Sequence, residues 1–77
     1  MFQKGDWVRV RPNSFANSGC VGIIVSLTTR AHPSQYIVKF YKPDGTIKTL
    51  DMLMEDGLPH DGRWFYQERE LEEFHVI

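Results

Sequence analysis

The clearest pattern near the start of the chain is an alternation of apolar and polar residues. Val8 and Val10 alternate with Trp7, Arg9 and Arg11. A period of two residues is typical of a strand with one buried face. A first strand therefore begins at about Trp7, and the turn-forming residues that follow it in 12–19 end it.

A second apolar run predicts the next strand, over residues 20–28. Alternate positions of this run predict its inner face: Val21, Ile23, Val25 and Leu27. Gly22 interrupts the run. A glycine inside a strand marks a bend or a close approach of another backbone.

Strand-forming residues also dominate 35–42, where Tyr36, Val38 and Phe40 share one side. The turn signal at 43–46 contains a proline and Gly45, which favour a tight hairpin. The pattern therefore predicts that strand three pairs with a short strand four over 46–51.

The remaining third of the chain predicts irregular structure and then a closing strand. Residues 52–63 are predicted to form a long connection, since they include two glycines, a proline and three acids. Residues 64–66 return to the fold, 67–71 form a single helical turn, and 74–77 form the last strand.

These elements predict one all-β domain over residues 1–77, a five-stranded antiparallel barrel with a short helical turn before its last strand. Nine apolar residues are expected to form the core: Val8, Val10, Val21, Ile23, Val25, Val38, Phe40, Leu71 and Phe74.

Composition fits a small domain with a modest core. The chain has 77 residues, of which 42% are hydrophobic, enough for a core but near the lower size limit for an unaided fold. Cys20 has no second cysteine to pair with, and is expected to be a buried or half-buried thiol. No run approaches the ~18 apolar residues of a membrane helix, and the first residues do not resemble a signal peptide. We therefore expect a cytoplasmic protein that does not insert into membranes.

Charge is divided unevenly along the chain. Residues 1–50 carry seven Lys/Arg against two acids, a balance of +5, and residues 51–77 carry two against eight, a balance of −6. Such asymmetry is a possible interaction feature. In a compact domain the two halves interleave, so the basic set can equally be neutralised by the acidic one.

The three strand segments together resemble the SH3-like small-barrel superfamily. They are Gly5-Asp6-Trp7-Val8-Arg9-Val10, Gly19-Cys20-Val21-Gly22-Ile23-Ile24-Val25 and Tyr36-Ile37-Val38-Lys39-Phe40. The segment 66–72 resembles the short turn before the final strand of such barrels. The pattern is similar to KOW-type modules and to small accessory subunits of photosynthetic and redox complexes. The resemblance implies a fold rather than one activity, because this architecture hosts many.

Ten aromatic residues are more than so small a core can hide. Aromatic side chains contribute strongly to protein interfaces, and exposed apolar patches mark partner sites. The predicted function is therefore a non-catalytic protein-interaction module, an adaptor or an accessory subunit of a larger complex. Its partner-binding groove is expected to contain Trp7, Phe15, Tyr41, Trp64 and Tyr66. Trp7 and Trp64 could instead be packing residues.

The alternative is a KOW-like module that binds RNA or DNA. Basic residues beside aromatic ones can hold a single strand by phosphate attraction and base stacking. The residues expected to do so are Arg9, Arg11, Lys39 and Lys48. A homo-oligomer is a third possibility.

No residue pattern points to catalysis, to a metal or to a cofactor. His32, His60 and His75 lie far apart in sequence, without the spacing of zinc ligands. His60 and Asp61 have no nucleophile paired with them by motif. The sequence therefore predicts a protein that is not an enzyme.

Overall fold

The computed structural model describes residues 2–14, 17–27 and 36–76. This part of the chain contains five strands, one short α-helix and one 3-10 turn. In chain order they are β1 (Trp7–Val10), β2 (Val21–Leu27), β3 (Tyr36–Tyr41), α1 (Leu50–Glu55), β4 (Arg63–Tyr66), the 3-10 turn (Glu68–Glu70) and β5 (Leu71–Glu73).

The five strands form one antiparallel sheet in the order β4-β3-β2-β1-β5. The predicted all-β class and the helical turn before the last strand are confirmed. The two outer strands, β4 and β5, do not pair with each other in the described residues, so the sheet is open and no closed barrel is formed.

The predicted fourth strand over 46–51 is wrong. Only one bridge, between Tyr41 and Ile47, remains of the expected hairpin ladder, and α1 follows it. Thr49 is the N-cap of α1, where its side-chain oxygen accepts a hydrogen bond from the Met52 amide at 3.3 Å. Such a cap satisfies a backbone donor that a helix start leaves unpaired. Leu53 then anchors α1 in the core.

The last strand also starts earlier than predicted. It occupies Leu71–Glu73 rather than 74–77, and Ile77 lies outside the described residues. The 3-10 turn ends where β5 begins. In that turn the Gln67 amide donates to the Glu70 carboxylate at 2.8 Å, which satisfies a backbone donor at the start of the turn.

Six of the nine predicted core residues are buried. Val8, Val10, Val38, Phe40 and Leu71 belong to the core cluster, whereas Val21 is buried on the opposite face of the sheet. Ile23, Val25 and Phe74 are only half-buried. The predicted inner face of β2 is wrong, because Gly22 and Ile24 face the core opposite Phe40 and Val38.

Five further core residues were not among the nine predicted. They are Ile24, Tyr36, Leu53, Leu58 and Tyr66. The core therefore lies between one face of the sheet and the segment 50–62, which folds across it.

Candidate functional site

The face of the sheet turned away from the core carries an unusual set of side chains. Directly paired residues in an antiparallel sheet project to the same face. One row across the sheet joins Trp7, Ile23, Lys39 and Arg63. A second row joins Glu72, Arg9, Val21, Tyr41 and Ile47. A shorter row pairs Ile37 with Phe65. We call these eleven residues the outer face.

An aromatic pair lies within the outer face. The rings of Trp7 and Tyr41 meet edge to face, with centroids 5.4 Å apart and an interplanar angle of 67°. The Lys39 ammonium lies 5.6 Å from the Tyr41 ring centroid, within the range of a cation–π contact. Both rings are half-buried, so each is fixed by packing and still presents surface to solvent.

The charges of the outer face are mostly positive. It carries Arg9, Lys39 and Arg63 against a single carboxylate, Glu72. Arg9 donates through Nε to Glu72 at 2.9 Å, and its Nη2 contacts the same oxygen. Both side chains keep solvent contact, with 49% and 26% exposure, so this pair contributes little to stability. Lys39 and Arg63 leave the face with a positive balance.

The structure does not bring the five predicted partner-binding residues into one groove. Trp7 and Tyr41 lie together on the outer face. Trp64 is paired with Val38 and therefore projects from the opposite face of the sheet, at the outer strand β4. Phe15 lies outside the described residues.

Tyr66 was predicted to belong to the partner-binding groove, but the structure buries it. It has no exposed surface. Its ring packs edge to face on Phe40, at 6.3 Å between centroids, and its hydroxyl accepts a hydrogen bond from the Asn17 amide at 3.3 Å. Burial raises the pKa of Tyr66 to about 12. Tyr66 is thus a core residue and not a contact residue.

Two of the four residues predicted to bind nucleic acid share the outer face. Arg9 and Lys39 lie beside the aromatic pair. The Arg11 guanidinium instead donates through Nε to the Leu71 carbonyl at 2.9 Å. Lys48 donates to the Asp56 carboxylate at 2.6 Å, which neutralises its charge.

Sequence reasoning missed the contribution of β4 to the outer face. Arg63 and Phe65 face outward there, and the Phe65 side chain is 41% exposed. The signal was present, because Arg63 and Phe65 alternate with Trp64 and Tyr66. Four residues are too few to show which set faces the core.

A groove of about 430 Å³ opens on the side of the sheet where Trp64 lies. Its walls come from the segment after α1 and from the loop before β2: Asn17, Gly57, Leu58, Pro59, His60 and Trp64. The groove contains no paired nucleophile and base. It is a depression separate from the outer face, with both polar and apolar residues in its lining.

Cys20 is half-buried, as predicted. Burial raises the pKa of its thiol, so the protonated form predominates at neutral pH. Within residues 2–14, 17–27 and 36–76, no cluster of three or more His, Cys, Asp or Glu side chains could hold a metal ion. The helices in the same ranges include none long and apolar enough to span a membrane.

No protein family, curated protein or solved structure matches this chain. Its function must therefore be argued from the geometry of the outer face.

Proposed function

We propose that this protein is a non-catalytic protein-interaction module of the SH3-like class, an adaptor or accessory subunit that docks on a larger complex through its outer face. The SH3-like assignment is supported by two features of the sheet. β2 pairs on both sides and carries a bulge between Ile24 and Ser26. A 3-10 turn immediately precedes the last strand.

The observation that carries the proposal is the Trp7–Tyr41 pair on a sheet face that is not covered by the core. The face adds Ile23, Ile37 and Phe65 around this pair. A solvated sheet face normally carries polar residues. Aromatic side chains that are already ordered lose little conformational entropy when a partner covers them. The outer face therefore has the composition of an interface centre.

Charge indicates the chemistry of the partner surface. Lys39 and Arg63 lie on the same face as the aromatic pair, and Arg9 on that face is already paired with Glu72. A partner with carboxylates opposite these cations would be oriented by them and would associate faster. We therefore expect an acidic protein surface on the partner.

The alternative function, binding of RNA or DNA, is favoured by one specific observation. Arg9 and Lys39 share a face with Trp7 and Tyr41, and this combination suits a single nucleic acid strand. Two points favour protein over nucleic acid. Arg9 is already paired with Glu72, and the chain carries a net charge of −1.

The test uses two neighbouring residues with nearly equal exposure, whose strand positions assign them to opposite faces although their ring centroids lie 6.5 Å apart. Phe65 is 41% exposed on the outer face and Trp64 is 43% exposed on the other. A tagged chain would capture partners from a native extract for mass spectrometry, and affinity would then be measured with the purified partner. We expect Phe65→Ala to weaken binding by about tenfold or more, as for an interface hot spot, and Trp64→Ala to bind normally.

The reverse ranking of these two variants would contradict the proposal. Retention of a mixed oligonucleotide pool at low salt, lost in Arg9→Glu with Lys39→Glu and falling steeply with added salt, would instead support the nucleic-acid function. A dimer detected by light scattering, and disrupted by Phe65→Ala, would identify the partner as a second copy of the chain.

A further inference from the structure

A second cavity, distinct from the groove near Trp64, lies where the N-terminal turn meets the segment after β5. Its volume is about 450 Å³, within the range of small-molecule sites. Three aromatic residues, two carboxylates and a glycine line it: Phe2, Gly5, Asp6, Trp7, Glu73 and Phe74. The lining contains no lysine or arginine.

Two of the three aromatic rings, those of Phe2 and Trp7, are held in place by contacts with rings outside the cavity. Phe2 meets Tyr36 edge to face at 5.7 Å, and its amide donates to the Tyr36 hydroxyl at 3.1 Å. Trp7 is fixed by Tyr41. The Phe74 amide donates to the Trp7 carbonyl at 3.2 Å, which ties the C-terminal wall to β1. The Phe2 and Trp7 walls are therefore formed before any ligand arrives, and Phe74 is tied to Trp7 through its backbone.

One carboxylate of the cavity is also fixed. The Asp6 Oδ2 accepts a hydrogen bond from the Gln3 amide at 2.8 Å, and the Asp6 amide donates to the Gln3 carbonyl at 3.0 Å. Gly5, at φ +95°, allows this tight turn. The second carboxylate, Glu73, is largely exposed, at 76%. Its Oε1 lies 3.7 Å from the His75 Nε2, at the surface.

We propose that this cavity binds an alkylammonium cation. Ring faces attract cations through their quadrupole, and an ammonium group with methyl or methylene substituents also buries apolar surface against the rings. The two carboxylates supply opposite charge and disfavour anions such as phosphate. The cation is either a free small molecule or the side chain of a lysine in a partner protein. The site does not depend on the proposed docking function, although Trp7 belongs to both.

The first experiment separates charge from shape. Choline and its neutral isostere 3,3-dimethyl-1-butanol would be titrated at constant ionic strength. NMR would follow the chemical shifts of the backbone amides and of the indole N–H groups. We expect saturable shifts at Gly5, Asp6 and the Trp7 indole, with choline bound about tenfold more tightly than the isostere. Equal affinities, or no shifts at these residues, would overturn the proposal.

The second experiment removes the carboxylates and keeps the shape. Asp6→Asn with Glu73→Gln should weaken choline binding by about tenfold, and Asn retains the oxygen that accepts from Gln3. Asp51→Asn with Glu55→Gln makes the same change of charge on α1 and should bind choline normally. If the first pair does not fold, Glu73→Gln alone, at an exposed position, gives the same comparison. Equal loss in both pairs would mean that only net charge matters and would refute the site.

The source of the cation is distinguished by a third titration. A short peptide with a central lysine or trimethyllysine would be compared with the same peptide carrying norleucine. Binding of a lysine-type peptide more tightly than choline would assign the site to a partner's side chain. The opposite order would assign it to a free small molecule.

Discussion

At the residue scale, the burial of Tyr66 predicts that the stability of the fold depends on pH. Burial raises the pKa of Tyr66 to about 12 in the folded chain, whereas a tyrosine in an unfolded chain has a pKa near 10. The folded state therefore holds this proton more tightly. The contribution of the protonated Tyr66 hydroxyl to the free energy of unfolding is fully present below about pH 10. It is lost as the pH rises through about 12.

We expect the free energy of unfolding, measured with denaturant, to fall between about pH 10 and 12. Tyr66→Phe should make this fall shallower. A residual slope will remain, because burial also raises the pKa of Tyr36. An unchanged pH profile in Tyr66→Phe would contradict the role assigned to the Tyr66 hydroxyl.

The same residue shows where sequence reasoning ends. The alternation in Arg63–Tyr66 indicates that Trp64 and Tyr66 share a face, but it does not say which face is buried. That choice follows from pairing with Tyr36 and Val38 on β3, which is a tertiary fact. The sequence therefore predicted which aromatic residues to consider for partner binding. Only the sheet register separates Trp7 and Tyr41, on the outer face, from Tyr66, in the core.

At the element scale, the contact between β2 and β3 depends on Gly22. A Cβ atom at this position would lie 2.3 Å from the Lys39 carbonyl oxygen and 2.6 Å from Val38 Cγ1. Two features were predicted for Gly22, a bend or a close approach of another backbone. The close approach is confirmed. The Lys39 carbonyl is part of the backbone and cannot move aside as a flexible side chain can. β2 and β3 would therefore have to separate.

Gly22→Ala should lower the free energy of unfolding by about 3 kcal/mol, at the upper end of overpacking costs. Gly57→Ala is an instructive control. No atom lies within 4 Å of a Cβ atom at that position, but φ is +71°, so the cost comes from backbone strain alone and should be about 1 kcal/mol. Denaturant unfolding measures the loss of free energy of unfolding in both variants. Equal losses would show that the structure relieves the predicted clash at Gly22 at little cost.

Elements with a clear period were predictable, and those without one were not. β1 alternates cleanly between apolar and polar residues, whereas β3 was predicted from its strand-forming residues and the 3-10 turn from its position before the last strand. β2 is apolar at 21, 23, 24, 25 and 27, so its pattern does not define one face, and the bulge between Ile24 and Ser26 interrupts any register. α1 has only six residues, too few for helical periodicity to outweigh the strand-forming residues before it.

At the scale of the whole molecule, folding brings the basic and acidic halves of the chain together. Arg9 pairs with Glu72 and Lys48 pairs with Asp56, so each pair joins the first 50 residues to the last 27. Part of the charge asymmetry therefore reflects neutralisation within the fold. The cations that remain on the outer face are Lys39, from residues 1–50, and Arg63, from residues 51–77. Counting charges separately in these two parts of the sequence could therefore not predict that the two cations share a face.

The most direct test of the account is hydroxyl-radical footprinting of the free protein and of its complex with the captured partner. The central claim is that the partner covers the outer face. We therefore expect Trp7, Tyr41 and Phe65 to become protected in the complex while the modification rate of Trp64 stays unchanged. Protection of Trp64, with Phe65 as reactive as in the free protein, would place the partner on the opposite side of the sheet and contradict the account.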